Sequence, residues 1–112
     1  MVEINQLVKE SIDLHYHIGP DILPRRDTVE TLVASERGKI KGIALKSHAF
    51  PTISTINTIK KREDDPLLIG SITLNYFMGG FNPSAIYASA TMSKGSHLIV
   101  WFPTIHEENN LE

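Results

Sequence analysis

An alternation of polar and apolar residues over residues 11–20 predicts a half-buried β-strand near the start of the chain. Asp13, His15 and His17 share one face of this strand, because successive side chains on a strand point in opposite directions. The other face is apolar and consists of Ile12, Leu14, Tyr16 and Ile18. The strand is expected to end at Pro20, which leaves both histidines at its carboxyl end.

The remaining hydrophobic periodicity predicts three more strands and four helices. The strands cover residues 40–48, 67–75 and 97–102. Two helices cover residues 3–10 and 28–37, and two more begin at Pro51 and Pro83. Glu30, three residues after Asp27, predicts a capping box at the start of the second helix, and Asn82 is the expected N-cap of the last helix.

The order of these elements predicts an α/β protein with a parallel sheet of the (βα)4 type. Strands begin roughly every 30 residues, a spacing typical of βα units, and the apolar runs in the later strands favour a parallel sheet covered by helices. A chain of 112 residues predicts one domain. Because a complete (β/α)8 barrel takes about 250 residues, the alternatives are a small open sheet or half of a barrel.

The amino-acid composition and net charge exclude several classes of function. A net charge of -2 gives no basic surface for nucleic acid, and no apolar run is long enough to span a membrane. The absence of cysteine excludes disulfides and thiolate metal sites, and favours the cytoplasm. We therefore expect a small-molecule substrate and neither a nucleic acid nor a membrane as partner.

The candidate chemistry lies at the carboxyl ends of the first two strands. His15 and His17 are spaced to bind one divalent cation, with Asp13 placed to fix an imidazole tautomer. Lys46 and His48 share one face at the end of the second strand, and neighbouring strands lie about 4.8 Å apart. His48 is thus a third candidate metal ligand. The plainer alternative is a half-buried strand that happens to carry two histidines.

Lys46 has three plausible roles besides that of a surface lysine at the sheet rim. It can be a carboxylated metal bridge, a clamp for an anionic substrate, or a nucleophile that forms a Schiff base. Zinc is the first choice of metal, with manganese, nickel or iron as alternatives.

Three residues, one at the end of the third strand and two beyond it, are candidates for substrate binding. Asn75 can orient a ligand, and the backbone amides of Gly79 and Gly80 can approach an anion before the last helix. The simpler interpretation of the two glycines is a tight turn. His106, after the fourth strand, is placed where it can reach the same edge.

The sequence resembles the amidohydrolase-like metal-dependent hydrolases, in an uncharacterised cytosolic branch. The resemblance is carried by Asp13-Leu14-His15-Tyr16-His17 together with Leu45-Lys46-Ser47-His48, Thr73-Leu74-Asn75, Gly79-Gly80-Phe81-Asn82-Pro83 and Val100-Trp101-Phe102-Pro103-Thr104. It implies a barrel hydrolase with one or two divalent metals, in which His15 and His17 match the ligands of the first strand. The bridging lysine of that superfamily belongs to a later strand, so Lys46 does not inherit its role.

Later strands of that superfamily normally supply further histidine ligands and an aspartate base. The resemblance therefore implies the N-terminal half of a longer protein. A half-barrel exposes apolar sheet surface, so we expect a homo-oligomer or a missing C-terminal half. Two other functions stay open: a non-catalytic assembly module with a relic site, and a Schiff-base lyase that uses Lys46 without metal.

Overall fold

Four parallel strands form a single sheet in the order β1-β2-β3-β4. The structure, a computed structural model, describes residues 3–105. The strands are β1 (Ile12–His17), β2 (Gly42–Lys46), β3 (Leu67–Thr73) and β4 (Leu98–Trp101). Because each strand pairs with the next one in sequence, β1 and β4 are the two edges of the sheet.

Helices connect the strands in alternation. The α-helices are α1 (Ile4–Lys9), α2 (Val29–Glu36), α3 (Ile53–Ile56) and α4 (Pro83–Met92), with a 3-10 helix at Tyr76–Met78. Helix α1 buries none of its residues. The α/β class and the all-parallel sheet are as predicted, and the arrangement is consistent with half of a (βα)n fold. The single-domain prediction is left untested.

The apolar core lies between the sheet and the helices. Ile18, Leu32 and Leu45 are almost completely buried in it. Helix α3 packs closely on β3 because Gly70 has no side chain: a Cβ at this position would lie 2.9 Å from the Cβ of Ile53. A larger residue at position 70 would therefore push α3 away from the sheet.

Strand β1 departs from the regular alternation that the sequence predicts. Asp13 pairs with Ile43, but the next pairing is Tyr16 with Leu45, so the register shifts between Asp13 and Tyr16. The Asp13 carboxylate accepts a hydrogen bond from the backbone amide of His15 at 2.9 Å, inside this irregular segment. Such a local bond competes with regular strand geometry and re-aims the side chains that follow.

The start of α2 differs from the predicted capping box. Thr28, not Asp27, is the N-cap, and it forms the reciprocal box with Thr31 rather than with Glu30. Asp27 Oδ2 accepts a hydrogen bond from the Tyr16 hydroxyl at 2.7 Å, and Oδ1 accepts one from the Thr31 hydroxyl at 3.1 Å. The Asp27 carboxylate therefore links β1 to α2 rather than capping the helix. At α4 the prediction is confirmed: the Asn82 side chain accepts a hydrogen bond from the amide of Ala85, and proline stands in the first turn.

The face of the sheet opposite the helices is polar near the carboxyl end. Ala44 and Lys46 project there, because the alternate residues of β2 belong to the core. The sheet is curved: the His15 ring on β1 lies 5.0 Å, between centroids, from the Trp101 ring on β4, although these strands are the two edges. We call this concave surface the inner face.

None of the helices within residues 3–105 is long and apolar enough to cross a membrane. The expectation of a cytoplasmic protein, and that of a homo-oligomer, stay predictions. Both sheet edges carry exposed apolar side chains, among them Leu14 on β1 and Val100 on β4.

Candidate metal centre

The two histidines of β1 point at one another. Their Nε2 atoms are 3.0 Å apart. One ring must therefore carry a proton on Nε2 and donate a hydrogen bond, which the Nε2 atom of the other ring accepts. His15 is exposed, whereas His17 is partly buried. The predicted pairing of these imidazoles on one side of the strand therefore occurs, but only His17 continues inward to the residues of β2.

Three side chains form a group that can hold a metal ion: His17, Asp21 and His48. Each offers one ligand atom, and these atoms lie within 4.8 Å of one another. His17 stands at the end of β1, Asp21 in the loop that follows it, and His48 just beyond the end of β2. The rings of His17 and His48 have centroids 5.1 Å apart.

Asp21 and His48 are tied together directly. The Asp21 Oδ2 atom lies 3.1 Å from His48 Nδ1, and Oδ1 accepts the backbone amide of His48 at 3.3 Å. The Asp21 side chain has no exposed surface and that of His48 has 9%. This double contact fixes the loop after β1 against the end of β2 and sets the position of both candidate ligands.

Arg25 is the counter-ion of this group. Its Nη2 and Nε atoms donate to Asp21 Oδ2 at 3.1 and 3.2 Å, and Nη2 is also 3.2 Å from His48 Nδ1. The guanidinium thus contacts two of the three candidate metal ligands.

The electrostatics favour the protonation states that a metal ion needs. Burial, followed by the charge of Arg25, lowers the pKa of His17 to about 4. Burial also lowers the pKa of His48, against the opposing effect of Asp21. Burial alone would raise the pKa of Asp21, but hydrogen bonds from the Ile22 amide and from Arg25 outweigh it and lower that pKa. Both imidazoles are therefore neutral and the carboxylate ionised at neutral pH.

Lys46 lies on the inner face beside this group. It is 3% exposed, and its Nζ atom sits 4.7 Å from the centre of the Trp101 ring. Burial and the charge of Arg25 lower the pKa of its ammonium, while Asp21 opposes them. Among residues 3–105 the Lys46 ammonium forms no ion pair, which is costly for a buried amine.

Within the part of the chain that the structure describes, a hydrogen-bond partner is also missing from the buried atoms His17 Nδ1, Thr73 Oγ1 and Trp101 Nε1. Thr73 and Trp101 are register partners on β3 and β4, so their side chains leave the sheet on the same side. Unpartnered polar atoms are rare in protein interiors because each costs about 1–3 kcal/mol. These atoms belong to residues at the carboxyl ends of β1, β3 and β4.

The other predicted site residues take part in local structure. Asp13 contacts the His15 amide, as described above. The Asn75 side chain is fully buried; its Oδ1 atom accepts the amides of Thr104 and Ile105 at 3.0 and 3.1 Å, and Nδ2 donates to the His48 carbonyl at 3.4 Å. Asn75 thereby joins the segment after β4 to the segment after β2.

Gly79 and Gly80 form a tight turn before α4. Both have positive φ, 84° and 65°, and their amides donate to the carbonyls of Tyr76 and Asn75. These bonds account for the two amides within the turn, and a substrate-binding role for either glycine, as for Asn75, stays a prediction. His106 lies outside the described residues.

The sequence did not identify Asp21 and Arg25 as site residues. Both lie in a segment that the sequence pattern predicts to be a loop. Their spacing of four residues resembles an ordinary local ion pair. Asp21 and Arg25 differ from an ordinary local pair because their loop folds back on the end of β2. Hydrophobic periodicity does not predict a contact of this kind. The signal available was a carboxylate and a guanidinium within eight residues of a candidate ligand, which is too common to be specific.

The fold and this cluster define a parallel α/β protein with a candidate metal centre at the carboxyl edge of its sheet. The chain belongs to the Family of unknown function (DUF6282), whose model matches residues 10–112. Neither the curated proteins nor the solved structures gave a match.

Proposed function

We propose that the chain binds a divalent metal ion through His17, Asp21 and His48, and that this centre belongs to a metal-dependent hydrolase. The observation that carries the proposal is the convergence of three ligand atoms within 4.8 Å of one another. Two imidazole nitrogens and one carboxylate oxygen are a ligand set that suits zinc, and also manganese, nickel or iron. With three protein ligands, such a centre keeps a position for water or substrate.

The residues present fit the ion in charge and protonation. His17 and His48 are held neutral by burial, so their nitrogen lone pairs are available. Asp21 is ionised and turned toward His48. A divalent ion in such a site acts as a Lewis acid and makes water nucleophilic at neutral pH, which is the chemistry of amide, lactone and phosphoester hydrolysis.

Lys46 and its neighbours suit the binding of a substrate oxygen. The Lys46 ammonium and the Trp101 indole N–H can only donate hydrogen bonds, and the Thr73 hydroxyl has no partner in the described structure. The ammonium and the indole N–H are complementary to a ligand that accepts hydrogen bonds, such as a carboxylate or a polarised carbonyl, and the Thr73 hydroxyl can donate to it as well. We assign Lys46 the role of a clamp for that oxygen, with Trp101 as the wall of the site. Asp13 supports the β1 histidines through the His15 backbone.

Metal content tests the proposal directly. Purified protein is incubated with zinc, manganese or nickel, freed of unbound ions by gel filtration, and measured by elemental analysis. We expect about one ion per chain in the wild type, with substantial loss in the His48→Ala and Asp21→Asn variants. His97→Ala is the matched control, since His97 is exposed just before β4 and outside the cluster. Equal metal in His48→Ala and His97→Ala would contradict the proposal.

The two competing functions give different results. A Schiff-base lyase would be trapped at Lys46 by borohydride in the presence of a carbonyl substrate, with no dependence on metal. A non-catalytic assembly module would bind neither metal nor substrate. The metal-loaded wild type is assayed against amide, lactone and phosphoester substrates. The Lys46→Met variant, which lacks the proposed clamp, is assayed beside it on each substrate.

A further inference from the structure

Arg25 occupies a specific position inside the candidate metal centre. Its Nη2 atom lies 3.1 Å from Asp21 Oδ2 and 3.2 Å from His48 Nδ1, and these two atoms are themselves 3.1 Å apart. The three atoms form a nearly equilateral triangle. A single cationic nitrogen thus touches two of the ligand atoms that a metal ion would use.

The hydrogen bonds of this triangle cannot all exist at once. If His48 carries its proton on Nδ1, it donates to Asp21 but cannot accept from Arg25. If Nδ1 is unprotonated, it accepts from Arg25 but faces the Asp21 carboxylate with a lone pair. Either tautomer leaves one of the contacts unsatisfied, which is unusual for side chains as buried as Asp21 and His48.

A metal ion would resolve the conflict by accepting both lone pairs. The ion and the guanidinium are both positive, however, and they compete for the same oxygen and the same nitrogen. Two cations about 4 Å apart repel by several kcal/mol in a partly buried site. Arg25 must therefore move when an ion binds.

We propose that Arg25 is a resident cation of the metal-free centre, which an incoming divalent ion displaces and which sets the metal affinity. This inference rests on the metal site proposed above. The Arg25 side chain retains 19% of its exposed surface, so it has access to solvent. A surface cleft of about 360 Å³, lined in part by Arg25 and Asp27, lies beside the same loop and offers space for the guanidinium.

The test compares zinc affinity in the full chain by isothermal titration calorimetry with zinc chloride. Arg25→Gln is expected to bind zinc about tenfold more tightly than the wild type, because the competing charge is gone. Arg26→Gln is the matched control: the adjacent side chain is 92% exposed, and its Nε atom lies 4.0 Å from Asp27 Oδ2. It is expected to match the wild type.

The sign of the effect separates this inference from a structural role. If Arg25 merely held Asp21 in place, its loss would weaken zinc binding, as the Asp21→Asn change does. Equal affinity in Arg25→Gln and wild type would overturn the displacement of Arg25 while leaving the metal site intact. No zinc binding by either protein would overturn the metal site and this inference with it.

A second measurement does not depend on the folding of a variant. In the wild type labelled with 15N, the Arg25 Nε–H signal reports its hydrogen bond to Asp21 Oδ2, which is 3.2 Å long. Stoichiometric zinc is expected to shift this signal and to speed its exchange with water, whereas the Arg26 signal stays unchanged. An Arg25 signal that zinc binding leaves unaltered would overturn the proposal.

Discussion

The two faces of the four-stranded sheet differ in the kind of side chain that they bury. Toward the helices, Ile43 and Leu45 are apolar and nearly completely buried. Toward the inner face, Lys46 and Thr73 are just as inaccessible but polar, and Thr73 Oγ1 has no partner among the described residues. The extent of burial therefore does not distinguish the core from the candidate site. The two regions differ in whether their buried polar groups have hydrogen-bond partners. The helix-facing side supplies the apolar core, whereas the inner face holds buried polar groups, among them Thr73 Oγ1, that lack a partner in the described structure.

The largest effect is expected from the helix-facing side. Leu45 has no exposed surface and belongs to the main apolar cluster. Leu45→Ala should lower the free energy of unfolding by about 2–5 kcal/mol, since it removes apolar contacts and leaves a cavity. Urea denaturation followed by circular dichroism measures the change. A loss below about 1 kcal/mol would mean that the helix face is not the stabilising one.

The next effect is the pH dependence that the inner face imposes on the metal-free protein. The pKa of His17 is about 4 in the folded chain, against 6.5 for an unperturbed histidine. Between these values the unfolded chain holds a proton that the folded chain lacks. Stability should thus fall as the pH decreases from 6.5 to 4, by at most about 1.4 kcal/mol per pH unit from this group, and should not depend on it above that range.

Denaturant unfolding at several pH values, with a chelator present, measures that slope. His48 has a lowered pKa as well and adds to the slope in the same direction. In His17→Gln the decline should be shallower, whereas in the control His97→Gln it should match the wild type. Identical slopes in His17→Gln and His97→Gln would show that His17 does not cause the pH dependence of stability.

A matched pair of threonines sharpens the comparison further. Thr52 and Thr73 are both fully buried. The Thr52 hydroxyl donates to the Leu45 carbonyl at 2.9 Å and accepts the Ser71 amide at 2.8 Å, whereas the Thr73 hydroxyl has no partner within the described structure. Thr52→Val should cost about 1–3 kcal/mol, because it leaves the Ser71 amide unpaired. Thr73→Val should be neutral or slightly stabilising.

Equal losses in the two valine variants would contradict the distinction between the faces. Thermal unfolding supplies an independent check. Metal binding by the Thr73→Val protein should match the wild type, because Thr73 is not among the three candidate ligands.

The sequence predicted the parts of this molecule that periodic patterns encode. The alternation through Ile43 and Leu45 identifies the core face of β2, and Asn82 before Pro83 identifies the start of α4. Patterns of two or four residues are local, so they transfer directly from sequence to structure. The α/β class and the parallel sheet follow from them.

The sequence could not predict which side chains meet across loops. Asp27 has the residue type of an N-cap, but Thr28 caps the helix instead. The Asp27 carboxylate accepts hydrogen bonds from the Tyr16 hydroxyl on β1 and the Thr31 hydroxyl on α2. Asp21 reaches His48 only because the loop after β1 folds against the end of β2. Contacts of this kind depend on distances between secondary-structure elements. The spacing of residues along the sequence does not contain those distances.

The smallest effect is expected at Lys46, the immediate neighbour of Leu45 on the opposite face. Its ammonium is buried without an ion pair in the described structure, and its contact with the Trp101 ring, at 4.7 Å from Nζ to the centroid, offsets only part of the desolvation cost. Lys46→Met keeps the length of the side chain and places a thioether against the indole. The free energy of unfolding should therefore stay within about 0.5 kcal/mol of the wild type or rise by up to about 1 kcal/mol. A loss comparable to that of Leu45→Ala would show that Lys46 stabilises the sheet. It would also remove the reason to regard this amine as held in place for a ligand.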